Sequence, residues 1–127
     1  MAFKPDGYNS ASPYLLVDGA QATVDFLKSV FDAQPLRMVP SQPGRLRHAE
    51  VRIDDSVVML ADAIEGWPAV NGHVHVYVAD VDATWARALQ AGGTEVQAPV
   101  QKDDGDKRGG VRDPGGTTWW ISQQLDV

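Results

Sequence analysis

The chain of 127 residues contains no cysteine, which excludes a disulfide framework and a thiolate metal site. It has no apolar run of about 18 residues, the length that spans a bilayer, so we expect no membrane segment. Its first eight residues, Met1–Tyr8, lack the apolar stretch of a secretory signal peptide, and we expect a cytoplasmic protein. A glycine-rich phosphate loop and a Gly-x-Ser-x-Gly nucleophile motif are absent from the sequence as well.

Positive charge is also scarce, with 11 lysines and arginines against 17 aspartates and glutamates. The net charge of −6 and the pI of about 4.8 disfavour nucleic acid as a partner, because the phosphate backbone is itself negative. The same charge would help a cationic ligand to approach. Hydrophobic residues make up 43% of the chain, which predicts a single globular domain with its own core.

The pattern of apolar residues predicts a β-α-β-β-β order that occurs twice. Apolar residues recur at helical spacing in residues 20–31 and again in Val81–Ala91, where Gly92-Gly93 would end the helix. Residues 62–71 and 102–108 are predicted to be loops, the second one charged and mobile. Strands are predicted at residues 12–18, 36–39, 47–53, 57–61, 73–78, 94–99, 110–112 and 117–122.

The two halves of the chain are related by a nearly constant offset. Ala22-Thr23 recurs as Ala83-Thr84, and Met59 corresponds to Trp120, with a difference of 61 in both cases (83 − 22 and 120 − 59). A self-match at this period, together with the repeated order of elements, predicts a duplicated βαβββ unit. We place the two modules at about residues 10–63 and 71–123 of one domain.

The segment Asp113-Pro-Gly-Gly116 is typical of a tight turn, since proline fixes φ and glycine permits positive φ. The β-branched and aromatic run that follows it, Thr117–Ile121, is typical of a strand. Neighbouring residues on a strand point to opposite faces. We therefore expect Trp119 to pack in the core and Trp120 to lie on the other face.

With these features the chain resembles the vicinal oxygen chelate superfamily, and within it the PhnB-like branch. Members of the superfamily include glyoxalase I, bleomycin-resistance proteins, fosfomycin-resistance enzymes and extradiol dioxygenases. The resemblance implies an α+β fold in which duplicated βαβββ units form a curved mixed sheet cup with helices on the convex side. It also implies a homodimer. The segments that carry it are Ser12–Asp18, Arg47–Ile53, Asp55–Asp62, His75–Val78, Asp80–Asp82 and Gly109–Ile121.

Strand alternation sorts the residues of the implied cup, because Ala49, Val51 and Ile53 are apolar and should face the helices. The opposite faces of the strands then line the cup and bring all three histidines together with a glutamate. Our ligand-binding candidates are Tyr14, His48, Glu50, Met59, Trp67, His73, His75, Tyr77, Arg112 and Trp120.

Two of these candidates have alternative roles. Trp67 lies in the loop between the modules, where it could stack on a planar ligand or hold a cation, or simply bury the linker or a dimer interface. Arg112 could bind a ligand carboxylate, but we expect it to pair with Glu50 or Asp113, since an isolated buried arginine is costly.

In metal-using relatives, four ligands come from the first and last strands of the two modules. Carried over to this sequence, the resemblance places them at Ser12, Met59, His73 and Trp120. Only His73 suits a divalent ion, because methionine prefers soft metals and an indole N–H only donates. We therefore expect no metal cofactor.

A divalent metal held by displaced ligands is the alternative. His73 and His75 share one strand face, and His48 and Glu50 share another, so these four side chains are the candidate ligands. Without a metal, His48 with Glu50, or His73 with His75, would form an acid–base pair or a hydrogen-bonded structural pair.

The sequence thus favours a metal-independent protein that binds a planar or cationic small molecule in the cup. The alternative function is a metal-dependent lyase, isomerase or dioxygenase with displaced His and Glu ligands. A third interpretation, in which the cup is vestigial and the protein acts through its surface, stays open.

Overall fold

A computed structural model of the chain describes residues 2–125 and shows the β-α-β-β-β order twice. The elements of the first module are β1 (Tyr14–Val17), α1 (Ala20–Phe31), β2 (Gln34–Pro40), β3 (Leu46–Ile53) and β4 (Ser56–Asp62). The elements of the second are β5 (His73–Tyr77), α2 (Val81–Gln90), β6 (Thr94–Gln101), β7 (Asp106–Arg112) and β8 (Thr118–Gln124).

Each module forms one four-stranded mixed sheet, with strand order β1-β4-β3-β2 in the first and β5-β8-β7-β6 in the second. The first strand of each module runs parallel to the last, and the other pairings are antiparallel. Tyr14 pairs with Met59 in the first sheet, and His75 pairs with Trp120 in the second. Both pairs differ by 61 positions (75 − 14 and 120 − 59), so the offset read from the sequence is present in the strand register.

One hydrophobic core spans both modules, because the helices cover one face of each sheet and pack against each other. Ala49, Val51 and Ile53 are buried, as the alternation of β3 predicts. Trp119 of the second module is fully buried, and its ring centroid lies 5.5 Å from that of Phe31 in the first. The opposite face of each sheet is not covered by a helix and is its open face, although the N-terminal segment with Tyr8 covers part of that face on the first sheet.

The turn between β7 and β8 is organised by the buried carboxylate of Asp113. One oxygen accepts the backbone N–H groups of Gly115 and Thr117 at 2.8 and 3.1 Å, and the other accepts the indole N–H of Trp119 at 2.7 Å. The turn also docks on the first module. A Cβ atom at Gly115 would lie 2.5 Å from Oγ1 of Thr23, so only glycine fits there.

The N-cap residue of the helix α1 is Gly19, with a φ of 86°, and glycine has no side chain that could cap the helix. Asp62, at the end of β4, takes over that role. One of its oxygens accepts the N–H groups of Gly19 and Ala20, both at 2.9 Å, and the other accepts the N–H of Leu46 at 2.7 Å. Burial alone raises the pKa of the Asp62 carboxyl, but these donors and the nearby Arg45 guanidinium lower it below its usual value.

The helix α2 has a local cap, since the side chain of Asp80 accepts the N–H of Ala83 at 3.0 Å. It ends at Gln90, and Gly92 follows with a φ of 102°, as the Gly-Gly pair predicts. No helix within residues 2–125 is long and apolar enough to cross a membrane.

The predicted charged loop at residues 102–108 is wrong at its C-terminal end, because β7 begins at Asp106. The charges that suggest a loop are satisfied by neighbours along and across the sheet. Lys107 lies 2.8 Å from Asp82 on α2, and Arg108 lies 3.0 Å from Asp106 and donates to Ser122 on β8. The strand predicted at residues 36–39 is also longer, at Gln34–Pro40.

We predict that Gly115→Ala lowers the free energy of unfolding by about 1–3 kcal/mol, the usual cost of overpacking a core. The added methyl group would collide with Thr23 and Val17 and push the turn away from the first module. Thermal and urea denaturation measure the change. Gly72→Ala is the control, since its nearest contact would be an ordinary 3.9 Å. Equal stabilities of the two variants would contradict the docking of the turn.

We predict that Asp62→Asn destabilises the protein by about 1–3 kcal/mol at pH 7, since an amide N–H₂ would face a backbone donor. Because the pKa of Asp62 is lowered in the folded state, its ionised carboxylate stabilises the fold at pH values above the unfolded-state pKa of about 4. This stabilisation is lost as the pH falls through the folded-state pKa. The difference in the free energy of unfolding between wild type and variant, measured by urea titration, should therefore become smaller toward pH 3.

The control for this pH series is Asp103→Asn, at an exposed loop position, which should leave stability unchanged at every pH. A destabilisation by Asp62→Asn that is constant between pH 7 and pH 3 would argue against a role of the charge.

Candidate functional site

The open face of the first sheet contains a cleft of about 650 Å³, a volume typical of small-molecule sites. It lies where β1 and β4 end, and the β2–β3 and β4–β5 loops form its walls. Most of its lining is apolar, with three basic or acidic side chains among it. The lining residues are Tyr14, Leu16, Ser41, Gln42, Arg45, Leu46, Arg47, Ala61, Asp62, Ile64 and Trp67.

The apolar walls of the cleft come from strand alternation and from one tight turn. Tyr14 and Leu16 share the open face of β1, where Leu16 pairs with Ala61 of β4. In the β4–β5 loop, Ile64 and Trp67 exchange two backbone hydrogen bonds of 2.9 and 3.1 Å. The side chains of Tyr14, Ile64 and Trp67 are 52%, 62% and 64% exposed, so three large apolar groups meet solvent at one cleft.

The charged residues of the cleft are two arginines and one aspartate. Arg45 donates to the carbonyl of Ala63 at 2.7 Å and lies 3.8 Å from Asp62. Arg47 takes part in none of the ion pairs that the described residues 2–125 form. The cleft therefore has one more positive than negative side chain, in a protein whose overall charge is −6.

A chain of hydrogen bonds runs from the cleft along the sheet. The Tyr14 hydroxyl lies 3.0 Å from Nδ1 of His48, whose Nε2 lies 2.7 Å from Glu50, and Glu50 also accepts the hydroxyl of Tyr8. Because an ionised carboxylate only accepts, a neutral His48 ring donates from Nε2 and accepts from Tyr14 at Nδ1.

The environment of Glu50 favours its ionised form. Burial alone raises the pKa of this carboxyl, but hydrogen bonds from Tyr8 and His48 lower it below its usual value. The same contact acts in reverse on Tyr8, whose pKa rises because its hydroxyl donates to the Glu50 carboxylate. Both oxygens of Glu50 are thus occupied by groups of the protein itself.

The open face of the second sheet has a different chemistry. The indole N–H of Trp120 donates to Nδ1 of His73 at 3.0 Å, and the two rings stack with 10° between their planes. His75 meets the edge of Tyr77, with ring centroids 4.7 Å apart. Burial, and to a smaller extent Arg108, lowers the pKa of His75.

The position of Trp120 depends on a glycine in the neighbouring strand. A Cβ atom at Gly110, its register partner in β7, would lie 2.7 Å from the six-membered ring of the indole. The adjacent Gly109 leaves room for Trp85 on the helix side in the same way, since a Cβ atom at Gly109 would lie 2.8 Å from Cδ1 of that indole. The Gly109-Gly110 pair therefore admits one indole against each face of β7.

The predicted site residues fall into separate groups. Tyr14 and Trp67 line the cleft, and His48 and Glu50 lie beside it. Met59 lies with Glu50 under the N-terminal segment that carries Tyr8. The remaining candidates on the second sheet are His73, His75, Tyr77 and Trp120.

The expectation that all three histidines meet Glu50 on one surface is wrong for the protomer. His48 and Glu50 lie on β3 of the first sheet, and His73 and His75 on β5 of the second. The modules meet through their helices, which keeps the two open faces apart. Within residues 2–125 no three histidine, aspartate or glutamate side chains come together as a metal site.

The predicted pairing of Arg112 with Glu50 or Asp113 is also wrong. Asp113 uses both oxygens on its own turn and on Trp119, and Glu50 binds Tyr8 and His48. The Arg112 side chain is exposed. Trp67 is exposed as well, so it does not bury the linker.

Sequence reasoning missed Tyr8, Arg45, Arg47 and Asp62. The arginines flank Leu46 at the start of a predicted strand, which is visible in the sequence, but the loop they face comes from a distant segment. Asp62 ends a buried apolar strand, and a carboxylate in such a place needs hydrogen-bond donors, so the sequence could have indicated that it accepts backbone N–H groups. Tyr8 lies in a segment without periodicity, and no local pattern indicates its contact with Glu50.

Comparisons with known proteins agree with this architecture. The profile of the Glyoxalase/Bleomycin resistance protein/Dioxygenase superfamily matches residues 9–121. The uncharacterized protein Mb0911c of Mycobacterium bovis is 39% identical in an alignment 128 positions long, which covers 90% of this chain and 82% of the relative.

Solved structures show the same fold. TioX from Micromonospora sp. ML1 superposes with a TM-score of 0.72 at 26% identity, covering 91% of this chain and all of that one. The fosfomycin resistance protein FosX from Mesorhizobium loti has a TM-score of 0.67 at 14% identity, covering 91% of both chains, and shows the fold alone. The chain therefore belongs to the glyoxalase/bleomycin resistance protein/dioxygenase superfamily.

Proposed function

We propose that the protein binds a planar small molecule in the cleft of its first sheet and does so without a metal ion. The observation that carries this proposal is the exposure of Tyr14, Ile64 and Trp67 at one concave site. Large apolar side chains that converge on a cleft are typical of ligand sites, since their burial by a ligand is favourable. Aromatic rings in this position stack well on planar compounds.

The chemistry of the side chains supports binding without a metal. Of the four positions that hold the metal in metal-using relatives, Ser12, Met59 and Trp120 offer no good ligand for a hard or borderline divalent ion. The fourth, His73, already accepts the indole N–H of Trp120 at Nδ1. The displaced set of His48, Glu50, His73 and His75 is divided between two sheets. These residues do not fit the superfamily's metal.

We also propose that the protein is a homodimer. The open faces of the two sheets carry exposed aromatic side chains, among them Tyr14 at 52% and Tyr77 at 62%. Within the protomer these faces do not cover each other, because the modules meet through their helices. A second copy could bury the parts of both faces that lie outside the cleft and gain the free energy of removing this apolar surface from water.

Planar compounds should bind with a change in tryptophan fluorescence, and Trp67→Ala should weaken their binding about fivefold, the worth of one aromatic contact. Isothermal calorimetry with a varied library of planar compounds measures the affinities. Val70→Ala is the matched control, because Val70 is exposed in the same loop but outside the cleft. The proposal is wrong if no compound binds, or if both variants weaken binding equally.

The same titrations, repeated with added zinc and with a chelator, test the metal. Unchanged affinities are expected. A stoichiometric ion that the protein retains after purification without a histidine tag, and that His73→Ala removes, would instead favour the metal-dependent lyase, isomerase or dioxygenase.

In sedimentation equilibrium we expect a mass of twice the 13.7 kDa of the chain. Tyr77→Asp should shift the protein toward the monomer, since it places a charge on an apolar open face. Lys28→Glu, at an exposed position on the helix α1, should not. A wild-type protein that sediments as a monomer would refute the dimer and leave the ligand proposal untouched.

A further inference from the structure

We propose that the ligand of the first-sheet cleft is a planar compound with an anionic carboxylate, and that Arg47 binds this carboxylate. This inference rests on the proposed binding function and adds the charge of the ligand to it. It departs from what the overall charge of −6 suggests, because the charge of the cleft differs in sign from that of the chain.

The two arginines of the cleft are not equivalent. Arg45 is held by the carbonyl of Ala63 at 2.7 Å and lies 3.8 Å from the Asp62 carboxylate, so its charge is already balanced. Arg47 lines the same cleft and enters no ion pair within residues 2–125. A guanidinium group presents a planar fork of N–H donors that matches a carboxylate, so Arg47 is available for an incoming anion.

Among the residues that line the cleft, the one carboxylate that a cationic ligand would meet is that of Asp62, since the exposed Glu65 of the β4–β5 loop is not part of the lining. The two oxygens of Asp62 accept three backbone N–H groups. Those of Glu50 accept from Tyr8 and His48. Both carboxylates are buried, and binding a cation there would require breaking these hydrogen bonds.

The rest of the cleft suits the body of such a compound. Trp67 and Ile64 of the β4–β5 loop line the same cleft as Tyr14 and Leu16 of β1, so a flat ring bound there would have apolar surface to pack against. Ser41, in the segment between β2 and β3, also lines the cleft and adds a hydroxyl donor. The cleft therefore combines an apolar lining with the donor side chains of Arg47 and Ser41, as an aromatic carboxylate requires.

Three naphthalene compounds that share one ring and differ in charge test this inference: 2-naphthoate, 2-naphthamide and 2-naphthylmethylammonium. Calorimetry at pH 7 and low salt should show the carboxylate binding about tenfold more tightly than the amide, with the ammonium compound weakest. Arg47→Gln should abolish this preference and leave amide binding unchanged. Lys28→Gln, which removes an exposed positive charge from the helix α1, is the control and should retain the preference.

Salt provides a second readout. Raising the ionic strength to about 1 M should weaken binding of the carboxylate more than that of the amide, because an ion pair at a cleft rim is partly screened. In Arg47→Gln the affinities of both compounds should respond equally to salt.

The outcomes separate the two proposals. If the three compounds bind with similar affinity, or if the ammonium compound binds best, the anionic ligand is refuted while the planar-ligand function stands. If the preference for the carboxylate survives in Arg47→Gln, Arg47 is not its partner and the inference fails. If none of the three binds, the function proposed for the cleft fails together with the inference.

Discussion

The carboxylate of Asp113 connects the hairpin of the second module to the core of the whole protein. It accepts two backbone N–H groups of its own turn and the indole N–H of Trp119. The buried indole reaches Phe31 of the first module, and the turn brings Gly115 against Thr23. Since a buried indole N–H without an acceptor is costly, this one contact sets both the shape of the turn and the packing between the modules.

Two further carboxylates also accept hydrogen bonds from groups of the protein itself, and this determines which charges the first sheet presents to a ligand. Asp62 replaces the missing cap of α1 and binds the start of β3, and Glu50 closes a hydrogen-bond chain between Tyr8 and His48. As a result, the lining of the cleft in this acidic protein contains two arginines and one carboxylate, that of Asp62, which is bound by backbone N–H groups. The charge that a ligand meets depends on which carboxylates already accept hydrogen bonds within the fold. The net charge of the chain does not indicate which carboxylates these are.

The sequence predicted the parts of the structure that follow from local periodicity. The offset of 61 appears in the strand register, α1 has the predicted bounds, and Trp119 lies in the core. The two faces of β3 also follow from alternation. These features depend on residues close in sequence, or on a repeat that the sequence displays.

The rest could not be predicted because it depends on how distant segments meet. Alternation places His48 and His75 on open faces, but it does not say that the modules pack through their helices and keep those faces apart. Lys107 and Arg108 resemble loop residues until their partners on α2 and β8 are known. Tyr8 reaches Glu50 from a segment with no periodic pattern.

The indole of Trp120 lies over Gly110 and stacks on His73, at one of the positions to which the superfamily resemblance assigns a metal ligand. Replacing it alone with glutamate would leave a void above the glycine and an imidazole without its stacking partner, so a single substitution toward a chelating side chain would be unfavourable. A chelating side chain at position 120 would therefore need a compensating change at position 110. Positions 110 and 120 are thus epistatic, and any mutational path between this packing and a chelating site passes through a destabilised intermediate.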